Sequence, residues 1–328
     1  MVDGRVLGGQ ATGIQRVARG LLDAAGDLPR LVLAPHGTRD PRVDRQLPVR
    51  QGRLWEQVVL PAVAGRRLVL SLANTAPLAA RHSAVLVHDL APLLHPEWFH
   101  PRMRLYARAV SAAARRADIV LVPSRAVAEE LAAVLGVTGA AVVRPAVEGS
   151  PATPAAVEEL RARFGLHRRY AVLVGWGDPR KDAGTAVAAH RLVRTAVPHD
   201  LVLIGEAHPN LATVQRPPDD TVRVLGRLSD ADLGAVITGA DVLLHPSVYE
   251  GFGLPPLEAW VRGTPALAAD VAAVREATEG QARLLPPRDV AAWAAALEAA
   301  LTVGLPVPDL PRWSWGDAGV SLRSALGG

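Results

Sequence analysis

Cysteine is absent from this 328-residue chain, which excludes disulfides, thiolate metal sites and a cysteine nucleophile. Aromatic residues are scarce, at 4%, so a core must be filled by alanine, valine and leucine. Lysine is almost missing. Lys181 is the sole lysine among 36 lysine and arginine residues, which marks a position where a compact point charge serves better than the planar fork of arginine. No apolar run approaches the ~20 residues that span a bilayer. No charged segment followed by an apolar one opens the chain, so a secretory signal is not expected. A cytoplasmic protein fits these absences.

What is present describes a globular chain. Hydrophobic residues make up 49% and charged residues 21%, the balance of a folded rather than a disordered sequence. The length exceeds one ordinary core and predicts two domains. A net charge of +4 and a pI near 10.2 suit an anionic partner: a phosphorylated ligand, anionic lipid or nucleic acid. Nucleic acid is not expected, because no basic motif is interleaved with aromatics.

Short continuous apolar runs alternate with helical patterns. In the N-terminal part strands are predicted at Leu31–Ala34, Leu68–Ser71, Ala84–His88 and Ile119–Pro123, with helices at Gly13–Ala25, Met103–Arg116 and Ala126–Leu135. In the C-terminal part strands are predicted at Ala171–Gly175, Leu201–Gly205, Val222–Leu225, Val242–His245, Ala266–Ala269 and Arg283–Leu285. Helices are predicted there at Gly184–Thr195, Ala231–Thr238, Pro256–Arg262 and Val290–Leu301. Unbroken apolar strands mean sheets covered on both faces, and strict alternation with helices means parallel, doubly wound sheets. Ser229 with Asp232 has capping-box spacing, and Asp289 reads as an N-cap. Arg144–Pro154, rich in proline and small residues, reads as the linker. Only Met1–Leu7 precedes Gly8, Gly9 and Gly13, so the first strand is either very short or incomplete.

Two segments carry chemistry. The first is GWGDPRKD, Gly175 to Asp182, placed between an apolar strand and a helix. Glycine lets the backbone approach a ligand, a helix start offers free N–H groups, and Arg180 and Lys181 add two cations. Together these suit a diphosphate; an ordinary turn with a solvated Arg-Lys pair is the plainer alternative. The second is HPSVYEGFGLPPLEAWVRGTP, His245 to Pro265. Glu250 leads into Gly251, Phe252, Gly253 and Leu254, and Glu258 is expected in the first turn of the following helix. The glycines can present N–H groups to phosphate or sugar oxygens. A carboxylate can accept both hydroxyls of a ribose diol. His88 ends an apolar strand, and in open α/β sheets that position faces the ligand crevice.

The stretch Val222 to Pro287 resembles family 4 glycosyltransferases of the GT-B fold, whose signature spaces two glutamates through an EGFGLPxLE core. VGWGDPRKD, LVHDLAPLLHPEWF, ADIVLVPSRAVAEEL and GQATGIQRVARGLL resemble further segments of that family. The resemblance implies an α/β GT-B fold: two Rossmann-like domains facing a central cleft, with a C-terminal helix crossing back. It implies an N-terminal acceptor domain at 1–150 completed by 306–328, and a donor domain at 151–305. It implies a retaining, metal-independent transferase that moves a sugar from a nucleotide diphosphate sugar to a hydroxyl acceptor, with no other cofactor. Arg180 and Lys181 would neutralise the pyrophosphate, Glu258 would hold the ribose and Glu250 the donor sugar. Gly175, Gly251, Phe252, Gly253 and Leu254 would line the donor, Gly13 would approach the phosphates, and His88 would sit beside the transferred sugar. Trp313 and Trp315 would be packing anchors. The chain departs from the family pattern at Trp176, usually smaller, and at Asp182, where asparagine is common.

Other readings compete. Glu250 and Glu258 could form a hydrolase acid/base pair, but a glycosidase needs no diphosphate site. A nucleotide-sugar epimerase of the same fold, or an inactive nucleotide-sugar-binding protein, would share the donor pocket. His95, Glu97 and His100 have some metal-ligand character, yet Pro96 disfavours presenting them on one helix face, and no metal is expected. The basic helix PRMRLYARAVSAAARR, with Arg102, Arg104, Arg108, Arg115 and Arg116, could meet anionic lipid at the inner face of a membrane; a solvated face is the preferred reading. GDP-, UDP- and dTDP-sugars all remain open as donors, and nothing in the pattern specifies an oligomeric state.

Overall fold

The computed structural model describes all residues except 9–11, 27, 29, 208, 209, 213, 215–219 and 328. Gly9 and its two successors, part of the expected glycine loop, lie outside the described residues. The chain divides into two compact units. The first holds Met1–Leu94, Arg102–Ala146 and Arg312–Gly328; the second holds His95–Pro101 and Val147–Pro311. The segment His95–Pro101 thus groups with the second unit although it lies inside the stretch 1–150.

The first unit contains β1 (Val2–Asp3), α1 (Gly13–Ala24), β2 (Val32–Pro35), β3 (Arg45–Leu47), α2 (Leu60–Ala64), β4 (Leu68–Ser71), β5 (His82–Leu86), α3 (Ala91–Leu94), α4 (Arg104–Arg116), β6 (Ile119–Val122), α5 (Arg125–Leu135) and β7 (Ala141–Val142). All its strand pairs are parallel, in the order β3-β2-β1-β4-β5-β6-β7. The first strand is only two residues long, yet it sits inside the sheet between β2 and β4. A π-helical turn, Trp55–Val59, precedes α2. The predicted strand at Ala84–His88 is displaced: β5 ends at Leu86, and His88 lies two residues beyond it.

The second unit contains α6 (Pro154–Phe164), β8 (Tyr170–Val174), α7 (Ala183–Val193), β9 (Asp200–Ile204), β10 (Val222–Gly226), α8 (Asp230–Thr238), β11 (Val242–His245), α9 (Leu254–Trp260), β12 (Ala266–Ala269), α10 (Ala272–Ala277), β13 (Arg283–Leu285) and α11 (Val290–Thr302). Its order is β10-β9-β8-β11-β12-β13, all parallel. β8, β9, β11 and β12 are buried almost throughout, as continuous apolar strands covered on both faces must be. Trp293 of α11 is fully buried among Ala171, Leu173, Leu244 and Leu267, and truncating such a side chain costs about 3–5 kcal/mol. The expected linker ends earlier than Pro154 implies, because Thr153 caps α6 by accepting from Ala156 N at 3.3 Å.

Caps follow the sequence signals. Ser229 Oγ accepts from Asp232 N at 3.1 Å, and Asp289 Oδ1 accepts from Ala292 N at 3.0 Å. The closing helix α12 (Trp315–Ala325) belongs to the first unit and packs on α1. A Cβ at Gly20 would come within 2.4 Å of the Trp315 ring, and one at Gly319 within 2.0 Å of Ala24 O. Bare glycines therefore let the two helices touch. Trp313 Nε1 donates to Pro145 O at 3.1 Å, and Arg144 lies over its ring, so both tryptophans serve packing. Among the described residues no helix is long and apolar enough to cross a membrane.

Candidate donor site

In the second sheet the strand order reverses direction between β8 and β11. Ligands of open α/β sheets bind outside the carboxyl ends of strands at such a switch point. β8 runs into Gly175, whose φ of +85° suits glycine, and Gly205, with φ of +112°, follows the neighbouring β9. A Cβ on Gly205 would lie 3.3 Å from the Gly175 Cα, so the two loops pass backbone to backbone. Gly175 N donates to Ile204 O at 2.7 Å. Trp176 is buried, and its Nε1 donates to Gly205 O at 2.7 Å. The large residue in this loop therefore braces the turn against the end of β9.

A short 3-10 turn, Pro179–Lys181, carries the two cations. Asp178 caps it by accepting from Arg180 N at 3.0 Å, and the same carboxylate receives the guanidinium, Nη2 to Oδ2 at 2.6 Å. Asp182 adopts the left-handed conformation, φ +42°, which aspartate tolerates nearly as asparagine does. That answers the departure noted at this position. The stem of Lys181 runs alongside Gly175, and its ammonium pairs with Glu250.

Glu250 comes from the loop after β11. Val248 N donates to Arg180 O at 2.8 Å and ties this loop to the cationic turn. His245, the last residue of β11, is buried, with Nε2 3.2 Å from Glu250 Oε1. The approach is poorly aligned, so Nε2 makes no well-formed hydrogen bond. Burial alone would raise the Glu250 carboxyl, but Lys181, His245 and Arg180 outweigh it and hold Glu250 well below the usual carboxylate range. Burial lowers His245, only partly opposed by Glu250 and Glu258. Lys181, Glu250 and His245 lie together, and Glu258 acts on His245 only through its charge, as the smallest of these influences.

Two details differ from the sequence expectation. α9 begins at Leu254 rather than Pro256, which makes Glu258 its fifth residue, past the first turn. Gly253 caps the helix at φ +105°, where a Cβ would meet Val274 at 2.9 Å. Gly251 and Phe252 are buried beside it, and Leu254 is partly exposed. His245 is the residue that sequence reasoning passed over. The signal was available: like His88, it closes an apolar run.

The first unit has its own polar cluster at the carboxyl ends of β1 and β4. Arg5 contacts Glu56 at 2.9 Å, Thr75 at 3.1 Å and Asp3 at 3.6 Å. Trp55 Nε1 donates to Asp3 at 2.9 Å, and Thr75 donates to Glu56 at 2.5 Å. His88 is buried; its backbone N donates to Asn74 Oδ1 at 2.6 Å, and its Nε2 lies 3.0 Å from Leu72 O. A carbonyl only accepts, so Nε2 carries the proton and Nδ1 is the acceptor nitrogen. Burial lowers His88 and keeps its ring neutral, against the Leu72 carbonyl and Asp89. Gly13 opens α1 with open space where a Cβ would stand, so packing does not require glycine there.

Comparison with known proteins bears on the family and the fold. Residues 168–302 match the family model Glycosyl transferases group 1. O-antigen chain mannosyltransferase B of Escherichia coli is 27% identical over 217 residues, 62% of this chain and 57% of that protein. O-antigen chain mannosyltransferase RfbU of Salmonella typhimurium is 25% identical over 248 residues, 73% of this chain and 66% of that protein. The chain thus spans less than two thirds of either relative. Among solved structures, Anabaena HepE in complex with UDP-glucose superposes with a TM-score of 0.69 at 17% identity, covering 99% of this chain and 93% of that one. The α/β fold is of the GT-B type, and the similarity to glycosyl transferases group 1 lies in residues 168–302, within the second unit.

Proposed function

We propose that this chain transfers a sugar from a nucleotide diphosphate sugar to a hydroxyl acceptor, with retention and without a metal. One observation carries the reading: Lys181, Glu250 and His245 meet at the carboxyl ends of β8 and β11. A lysine ammonium paired with a carboxylate is positioned to exchange that partner for a phosphate. Glu250, released from the pair, then accepts hydroxyls of the donor sugar, and Glu258 takes the ribose. The UDP-glucose complex of HepE and the two mannosyltransferase relatives favour a nucleotide-sugar donor of this kind.

The chemistry follows from charge. Breaking the anomeric C–O bond leaves negative charge on the departing diphosphate, and fixed cations stabilise it as it forms. Lys181, with Arg180 beside it, supplies that charge without a metal. Arg180 reaches the phosphates by leaving Asp178 or by sharing its donors between the two. The leaving phosphate accepts the proton of the incoming hydroxyl on the same face, so configuration is retained. His88, neutral with Nδ1 as its acceptor nitrogen, is able to accept a hydrogen bond from a sugar hydroxyl. Glu250 is held ionised, so it is not the general acid of a hydrolase pair, which needs a raised pKa.

Incubation with GDP-, UDP- and dTDP-sugars and simple glycoside acceptors tests this reading by proton NMR. It predicts free nucleoside diphosphate and a new glycoside with the donor's anomeric configuration, undiminished by chelator. An inverted linkage, or an epimerised nucleotide sugar without free diphosphate, contradicts it.

A further inference from the structure

The segment His95–Pro101 is fastened to the second unit by its backbone. Phe99 and Leu211 form an antiparallel bridge. His100 N donates to Asn210 O at 2.9 Å, and Ala212 N donates to Trp98 O at 2.7 Å. This strap carries two rings to the loop that holds Glu250. His95 stacks on Trp98 with centroids 3.8 Å apart and planes 18° apart. Tyr249 meets His95 edge-on at 5.5 Å and Trp98 at 6.3 Å. Tyr249 is buried and immediately precedes Glu250, while His95 and Trp98 are only half-buried. In a chain with 4% aromatics, such a concentration is not core filler.

Beside the rings stands Glu97, its side chain 62% exposed and 3.2 Å from His95 Nδ1. A flat aromatic surface edged by a carboxylate has the two properties a sugar ring requires. The electron-rich aromatic face attracts the polarised C–H bonds of a pyranose, and the carboxylate accepts its hydroxyls. Glu97 is the exposed carboxylate at the rim of the platform, so an anionic group placed against it is disfavoured relative to a neutral hydroxyl.

We infer that His95, Trp98 and Tyr249 form a stacking platform for a neutral pyranose, the acceptor sugar, beside the donor-sugar carboxylate Glu250. This rests on the donor-site reading above and adds the acceptor's chemical class. Trp98 supplies the stacking surface, Tyr249 anchors it to the loop of Glu250, and Glu97 orients ring hydroxyls.

Saturation-transfer NMR on the full chain, with a saturating nucleoside diphosphate, tests it using methyl α-mannopyranoside, methyl α-glucopyranoside and mannose 1-phosphate. The ring-proton signals of the two neutral glycosides are expected in the unmodified protein, with the phosphate weaker. Trp98→Ala should reduce them about fivefold or more, and Trp98→Phe should retain part of them. Trp98→Phe decides the matter if the alanine variant does not fold. The rise in Tm with nucleoside diphosphate should be the same in all three proteins. Full glycoside signal in Trp98→Ala, absence of signal in the unmodified protein, or a stronger signal from mannose 1-phosphate would overturn the platform while the Tm rise leaves the donor site standing. No Tm rise in any protein would overturn the donor reading and the platform with it.

Discussion

The two units place buried charge at the same kind of location, the carboxyl ends of a doubly wound sheet, and use it differently. In the first unit Arg5 is enclosed by Asp3, Glu56 and Thr75, and each carboxylate also has a hydrogen-bond donor. In the second unit Lys181 and Glu250 rely on each other, and His245 leans on Glu250 without a well-formed hydrogen bond. A network whose members satisfy one another is a structural asset. A pair that is easily rearranged is ready to exchange partners with a ligand. The two histidines repeat the contrast: His88 is held by Leu72 O and Asn74 at 3.0 and 2.6 Å, whereas the His245 ring has only a long 3.4 Å contact between Nδ1 and Ser247 Oγ and a poorly aligned approach of Nε2 to Glu250.

Substitutions break or sharpen this contrast. The largest effect is expected at Glu56→Ala, which removes a partner of the buried Arg5; losing one member of such a pair costs about 3–5 kcal/mol, read as a lower midpoint in urea. If that variant keeps its stability, the first cluster is not the structural one. Lys181→Ala should slow transfer by about 10²-fold or more, by analogy with removing one donor to a developing oxyanion, with a much smaller change in urea midpoint than Glu56→Ala. Normal turnover in this variant would dissolve the distinction between the units. Glu258→Ala should weaken nucleoside diphosphate binding by about tenfold, the loss of ~1.4 kcal/mol of hydrogen bonding to the ribose, measured by titration calorimetry.

The smallest effect concerns pH. His245 has a lowered pKa in the folded chain. As pH falls below the ordinary histidine value near 6.5, the unfolded chain takes up a proton at this position that the folded chain refuses. Stability therefore falls with decreasing pH, and it is recovered as pH rises above that value. His245→Asn should flatten the slope of unfolding free energy between pH 5 and 6.5 by up to ~1.4 kcal/mol per pH unit. An unchanged slope would mean that His245 titrates freely. Glu250 acts lower: its pKa is depressed, so the stability it contributes is present above the ordinary carboxylate value and is lost only in stronger acid.

The same contrast decides what the sequence reveals. The residues of the proposed donor site lie in two contiguous segments, each a strand, a glycine turn and a helix start, and local patterns of that kind can be read directly. Asp3, Arg5, Glu56 and Thr75 are scattered across the chain and meet only after folding, so no local pattern announces them. Strands β1, β3 and β7 have two or three residues, too few for periodicity, and the π-helical turn at Trp55–Val59 has no signature of its own. The platform of His95, Trp98 and Tyr249 was hidden for a related reason. HPEWFH on its own has the look of a metal-ligand segment, and only the fold brings its rings to Tyr249.

Everything turns on whether Lys181 exchanges Glu250 for a phosphate. Thermal unfolding with GDP, UDP and dTDP, for the unmodified chain and for Lys181→Ala, measures this directly. At 100 times its dissociation constant the cognate nucleotide should stabilise the unmodified protein by ~2.7 kcal/mol, and Lys181→Ala should lose most of that gain. Equal stabilisation of both proteins, or none by any nucleotide, would contradict the account.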